Sequence, residues 1–267
     1  MTAPIRVGLV GVGSMGMPIA RRLAQAGYEL NVFARRQDVI EEAHSLGATA
    51  AESLAALGAG SDLVIVNVFS DDQVREVALG ADGIVEHMRP GAVLINHSTG
   101  RPSTILTIAS DAQARGVDVL DGAMSGGPHD IDAGKLVLLV GGGLATLERV
   151  RSVLATYGSP ILHVGGVGDG QKVKLLNNAL FGAQVALVRR IEQCAGELGM
   201  DPALVLPAIH ACSGDSYALG TAVMIGSAAG LVEAARRYIE KDVAVCADVA
   251  AELGVDLGSV LTVARDI

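Results

Sequence analysis

Lys174 and Asn178 stand four residues apart in the run Gly168-Asp169-Gly170-Gln171-Lys172-Val173-Lys174-Leu175-Leu176-Asn177-Asn178. On a helix that spacing puts both side chains on one face. An amine and an amide so placed can hold a substrate oxygen and move a proton to or from it. Desolvation and nearby cations lower a lysine's pKa toward the range in which it exchanges protons. Lys172, two residues away, faces elsewhere and is expected in solvent. Near the other end of the chain, Gly11-x-Gly13-x-x-Gly16 follows an apolar run and opens a helical pattern. That is the context a dinucleotide fingerprint needs. Gly11 permits the tight turn, Gly13 lets the backbone approach a pyrophosphate, and Gly16 lets the helix pack on the strand. The helix N-terminus stabilises the phosphate charge. Together the two constellations predict hydride transfer coupled to a proton relay.

Two further segments refine the chemistry. The second apolar run ends Val32-Phe33-Ala34-Arg35-Arg36, with no acid where a ribose-gripping Asp or Glu would stand. Two guanidiniums suit a 2′-phosphate through charge-assisted, bidentate bonds, so NADP(H) is favoured over NAD(H). Further on, Asp121-Gly122-Ala123-Met124-Ser125-Gly126-Gly127 is read as leaving a strand and entering a loop. Successive glycine amides form an anion-binding concavity. Ser125, Gly126 and Gly127 are therefore expected to cradle a substrate carboxylate.

These residues need a frame. Apolar runs predict strands over 5–10, 29–33, 48–51, 63–68, 93–96, 117–121, 136–140 and 161–164, with helical spacing over 15–26, 39–46, 72–79, 103–115 and 144–156. The alternation predicts a doubly wound, mostly parallel sheet. After 164 the rhythm stops at a glycine-rich joint. Helical patterns follow over 171–198, 202–212, 217–246 (with a break near Gly230) and 244–253. The expected class is α/β, an N-terminal Rossmann domain over 1–164 and an all-α domain over 165–267 for substrate and dimerisation.

Composition narrows the partners. Net charge is −9, which disfavours nucleic acid. No stretch has the length and apolarity of a membrane span, and no signal peptide is read at the N-terminus. Cys194, Cys212 and Cys246 are scattered and fit no metal spacing, so they read as reduced thiols in a cytoplasmic protein. His129, Asp130 and Asp132 share one loop, and no metal site is expected there.

The chain resembles the β-hydroxyacid dehydrogenase family, the group of 3-hydroxyisobutyrate dehydrogenase, tartronate semialdehyde reductase and the glyoxylate and succinic semialdehyde reductases. Four motifs carry the resemblance: Gly11 through Gly16 with Met17-Pro18, Asp121 through Gly127 continuing to Gly134-Lys135-Leu136, Gly168 through Asn178, and Lys241-Asp242. It implies that Lys174 is the catalytic acid/base and that Asn178 orients the substrate or the lysine. It implies that Ser125, Gly126 and Gly127 bind substrate, and that Gly11, Val12, Gly13, Ser14, Met15 and Gly16 form the cofactor loop. Asn67 and Val68 would line the cofactor groove, Thr99 would lie near the nicotinamide, and Lys241 would contact the cofactor from the helical domain.

The chain also departs from the family. Pro128-His129-Asp130 puts a rigid, polar stretch where relatives have a glycine soon after the Ser-Gly-Gly loop, and residues 213–232 are smaller and less charged than usual. The second half of the 171–198 helix, with Val185, Ala186, Val188 and Ile191, is expected as a face for a homodimer or higher oligomer. The leading expectation is a dehydrogenase or reductase for a small β-hydroxy acid or its semialdehyde. The alternatives are an NADPH-dependent imine reductase, kept open by the altered loop, and a non-catalytic NADP(H)-binding protein.

Overall fold

The computed structural model describes residues 5–266 and divides into two compact units, 1–174 and 175–267. The first carries eight strands: β1 (Arg6–Val10), β2 (Glu29–Phe33), β3 (Thr49–Ala50), β4 (Leu63–Val66), β5 (Val93–Asn96), β6 (Asp118–Ser125), β7 (Leu136–Gly141) and β8 (Gly158–Gly165). They form one sheet in the order β3-β2-β1-β4-β5-β6-β7-β8. Every neighbouring pair is parallel except β6 with β7, where Asp121 faces Gly141 and Ser125 faces Val137. The order reverses between β1 and β4, the crevice where doubly wound sheets bind ligands.

Strands β4 and β5 are buried along their whole length, as expected of parallel strands covered on both faces. Their side chains divide by parity. Leu63, Ile65, Val93 and Ile95 join one core with Ile19 and Leu23 of α1 (Gly16–Gln25), whereas Val64, Val66 and Leu94 join the opposite core. Helix α2 (Gln37–Ser45) lies on the first side, and α3 (Leu54–Gly60), α4 (Asp71–Leu79), α5 (Ile84–His87) and α6 (Pro102–Gln113) lie on the second. The short α7 (Pro128–Asp132) and α8 (Leu144–Leu154) complete the first side. Each fully buried Leu, Ile or Val contributes roughly 1.5–3 kcal/mol over its exposed state, so the two cores fix the strand ends that carry the candidate site.

Helix α9 (Asp169–Glu197) begins in the first unit, and the boundary falls within it, after Lys174. The second unit holds the rest of α9 with α10 (Pro202–His210), α11 (Tyr217–Ile225), α12 (Ala228–Glu252) and α13 (Gly258–Ala264). Its core joins Val185 and Val188 of α9 to Leu206, Leu219, Leu231, Ile239 and Val243.

Several expectations are corrected. The helix expected over 217–246 breaks at Gly226, not Gly230. Gly226 takes the left-handed conformation (φ +97°) that ends α11, and Ser227 caps α12 by accepting the Gly230 N–H. The separate helix expected over 244–253 is part of α12. Strand β6 runs on to Ser125, so the supposed loop is paired strand through Ser125, and only Gly126 and Gly127 lie beyond it. Pro128-His129-Asp130 is the first turn of a short helix. Val185, Ala186 and Val188, expected on a dimer face, are buried in their own unit's core, and only Ile191 of that set is exposed.

Candidate active site

The glycines at the start of α1 divide the work as their positions suggest. Gly11 sits at φ +89°, and a Cβ there would lie 1.9 Å from the Asn67 carbonyl oxygen. A Cβ on Gly16 would lie 2.1 Å from the Gly11 carbonyl oxygen. Both are pinned by close backbone approach. Gly13 is different: nothing lies within 4 Å of where its Cβ would be. Gly13 and Ser14 are exposed, Met15 is half-buried, and Val12 packs into the core, so only its backbone faces outward. This open, glycine-edged turn at a helix N-terminus fits a pyrophosphate.

Asn67 and Val68 follow β4 directly. The Asn67 Nδ2 donates to the Gly11 carbonyl at 3.4 Å, and the Val68 N–H donates to Ser98 Oγ at 2.8 Å. Asn96, at the end of β5, braces the same turn: its Oδ1 accepts the Ser98 N–H and its Nδ2 donates to the Ser98 carbonyl, both at 3.1 Å. Thr99 follows, half-buried.

Arg35 and Arg36 are both exposed after β2. Arg36 is not free: its Nε donates to Asp38 Oδ1 at 3.0 Å and a second guanidinium nitrogen meets Asp38 Oδ2. The pairing holds the Asp38 carboxyl below its usual range. Asp38, in the first turn of α2, is thus already engaged by Arg36.

The Ser125–Gly127 segment is less open than its glycines suggest. Asp130 Oδ2 accepts the Gly127 N–H at 2.7 Å, and a Cβ on Gly126 (φ +129°) would meet the same oxygen at 2.6 Å. One amide of the expected cradle is already used. His129 lies against Asp130, and Asp132 pairs with Arg21 at 2.9 Å. Among the described residues, no group of three His, Cys, Asp or Glu side chains is placed to hold a metal ion.

Sequence reasoning missed a buried polar network behind these loops. Asp121 is fully buried and caps α9: Oδ1 accepts the Gly168 N–H at 2.7 Å and Oδ2 the Gln171 N–H at 2.8 Å. Burial pushes its carboxyl up, and the two amides pull it back toward the ionised form. Gly141 and Gly170 make room for it, since a Cβ on either would meet an Asp121 oxygen at 2.4 or 2.7 Å. Gln171, also fully buried, accepts the Gly100 N–H at 3.0 Å and donates to the Ser98 carbonyl at 2.9 Å. His97 is buried between the Gly122 carbonyl and the Tyr157 hydroxyl, the latter at 2.8 Å, and burial pushes its pKa down to about 4. Local spacing gave no signal for these roles, because the partners of Gln171 lie about 70 residues away in sequence. The Gly-Asp-Gly-Gln run before Lys174 was the visible hint.

Lys174 is half-buried, one turn beyond Gln171 and within the same compact unit. Lys172 is exposed and paired with Asp169 at 2.9 Å. In the second unit, Asn178 is buried and donates to Asp242 Oδ2 at 2.5 Å, and Lys241 Nζ lies 3.6 Å from Asp242 Oδ1. The structure therefore places Asn178 and Lys241 around one carboxylate.

Two family models cover nearly the whole chain. The one described as the NAD binding domain of 6-phosphogluconate dehydrogenase matches residues 6–166, and the one described as the NAD-binding domain of NADP-dependent 3-hydroxyisobutyrate dehydrogenase matches 168–265. A 2-(hydroxymethyl)glutarate dehydrogenase of Eubacterium barkeri is 31% identical over 82% of this chain and 73% of its own. An NAD-dependent L-serine dehydrogenase of Pseudomonas aeruginosa is 32% identical over 80% and 72%. In fold, a Mycobacterium tuberculosis 3-hydroxyisobutyrate dehydrogenase solved with L-serine superposes with a TM-score of 0.87, at 24% identity, over 98% of this chain and 92% of that one. The chain belongs to the β-hydroxyacid dehydrogenase family, NAD(P)-dependent oxidoreductases that act on CH–OH groups.

Proposed function

We propose that the protein interconverts a small β-hydroxy acid and its semialdehyde, with NADP(H) preferred and Lys174 as the acid/base. The observation that carries this reading is the position of Lys174: a half-buried amine one turn past a fully satisfied buried network that also braces the Thr99 turn. The loop Gly11–Gly16, with Asn67, Val68 and Thr99, would hold the dinucleotide, and Arg35 and Arg36 its 2′-phosphate. Bound there, the dinucleotide supplies or accepts the hydride. Lys174 gives its proton to the developing alkoxide in reduction and takes the hydroxyl proton in oxidation, and its charge stabilises the oxyanion between. Ser125 and Gly126 hold the carboxylate, while Asn178 orients substrate and Lys241 supports the cofactor, as the family resemblance implies. Residues 1–164 serve the nucleotide, and 165–267 serve substrate and self-association in a cytoplasmic homodimer. The dimer face is the exposed stripe Leu176, Leu180, Leu187 and Ile191 on α9, whose spacing keeps one side of the helix.

A second reading rests on Asp130. A carboxylate already seated on the Gly127 amide repels a carboxylate substrate and tolerates an uncharged or cationic imine. One assay panel separates the two. Oxidation of NADPH and of NADH is followed with glyoxylate, succinic semialdehyde, tartronate semialdehyde, methylmalonate semialdehyde and a cyclic imine. Turnover of a carbonyl acid with NADPH, lost in Lys174→Ala while NADPH still binds, supports the proposal. Turnover of the imine alone, or near-normal turnover by Lys174→Ala, refutes it.

A further inference from the structure

The network behind the site joins three segments that must act together. Asp121, on β6, holds the first turn of α9 through the amides of Gly168 and Gln171. The Gln171 side chain reaches from that turn to both sides of Thr99, accepting from Gly100 and donating to Ser98. Ser98 in turn receives the Val68 amide from the end of β4. Asp121, Gln171 and Ser98 are each buried and spend their donors and acceptors within these contacts, so displacing one strands the polar groups of the next.

We infer that Asp121, Gln171 and Ser98 form one interlock that fixes the helix turn bearing Lys174 against the loop bearing Thr99, with Gln171 its positioning residue. The inference rests on the proposed role of Lys174 for its catalytic consequence, but not for its physical content. The interlock sets the distance between the group that moves the proton and the loop expected beside the nicotinamide. A change of about 1 Å there costs on the order of a hundredfold in rate. Gln171 touches none of the reacting atoms and acts only by holding those that do.

The test replaces Gln171 by Leu in the full-length protein and reads amide hydrogen exchange without cofactor. The Gly100 amide loses its partner directly. If the interlock is one unit, the Gly168 amide, bonded only to Asp121, must also exchange at least ~10-fold faster. A Gly168 amide that keeps wild-type protection while Gly100 loses its own would overturn the inference, because the two caps would then be independent. A core control, Ile108→Val, should lower the melting temperature and leave both amides protected. If both amides open in the control as well, the effect is general loosening and the inference also fails. Where Gln171→Leu does not fold, native-state exchange in urea on the wild-type protein decides the matter. The amides of Gly100, Gly168 and Gln171 should share one opening isotherm, and separate isotherms refute the unit.

Turnover supplies the catalytic arm. With 4-deuterated NADPH and the best carbonyl acid of the panel, Gln171→Leu should lower kcat at least ~10-fold and raise the isotope effect on kcat, while NADPH affinity by fluorescence titration stays within ~3-fold. An unchanged kcat and isotope effect would refute the positioning role. A wild-type protein that reduces no carbonyl acid would sink the proposed function alone, since the exchange result stands without it.

Discussion

Two of the chain's glycine-rich turns beside strand ends behave in opposite ways. At Gly11–Gly16 the middle glycine faces open space, and the flanking two are pinned by backbone oxygens. At Ser125–Gly127 one amide is already served by the protein itself, because Asp130 seats its carboxylate on the Gly127 N–H. Glycine content reports backbone freedom. Whether that freedom is available to a ligand depends on what stands three residues later. After Gly13 comes Gly16, which carries no side chain to fold back. After Gly127 comes Asp130, at the third helical position, from which its carboxylate reaches back to the N-cap amide.

The largest expected effect comes from filling a pinned glycine. Gly11→Ala puts a methyl group 1.9 Å from the Asn67 oxygen at a φ of +89°. The left-handed conformation costs about 1–2 kcal/mol and the overpacking about 1–3 kcal/mol more. The melting temperature of the apo protein should fall by many degrees. A variant as stable as the wild type would show that the turn can relax, and the distinction between pinned and open glycines would collapse.

The next effect belongs to the filled side of the molecule. His97 is buried and neutral against the Gly122 carbonyl and the Tyr157 hydroxyl, with a pKa near 4 against 6.5 when unfolded. Between those values the unfolded chain binds a proton that the folded chain refuses, so stability rises with pH across that window. The contribution is fully present above pH 6.5 and is lost as pH falls through 4. It amounts to about 3 kcal/mol. Urea titrations at pH 7 and pH 4.5 should show more acid loss for the wild type than for His97→Gln. Equal losses would mean that His97 is not the group responsible.

Smaller again is Gly13→Ala, the same chemical change as Gly11→Ala two residues on. Nothing meets the new methyl group in the protein, so stability should move by about 0.5 kcal/mol or less. Binding of NADPH should weaken by ~10-fold, because the methyl occupies the face left to the pyrophosphate. Calorimetric titration reads this directly. Unchanged affinity would remove the cofactor from this turn.

The same contrast explains what the chain made legible. The central strands could be read because buried parallel strands are continuous apolar runs, as in Leu63-Val64-Ile65-Val66. The fingerprint was legible because its glycines act within six residues of one another. Helices α3 and α13 were missed: Leu54–Gly60 is mostly Ala and Gly, and Gly258–Ala264 contains valines and a threonine that dilute helical spacing. Asp121, Gln171 and His97 were missed as a network because each is satisfied by groups far along the chain, which one-dimensional spacing does not record. Asp130 was noticed as an acid in an unusual place, but its partner was not. A cap bond to the amide three residues before it is a local signal, and the proline at 128, at the first helical position, marks the same turn.

The smallest effect is the most informative about that loop. Asp130→Ala removes the carboxylate from the Gly127 amide and costs about 1 kcal/mol of cap energy, visible as a small fall in melting temperature. It also returns one N–H donor to the segment beside Ser125 and removes a negative charge from it. For a carboxylate substrate both changes are favourable, and a single recovered hydrogen bond corresponds to a KM roughly 2- to 10-fold lower. For an imine substrate the same change removes a nearby carboxylate that would favour a cationic group, and KM should rise. The direction of the KM change therefore reports the charge of the preferred substrate, and an unmoved KM would place the substrate away from the Ser125–Gly127 segment altogether.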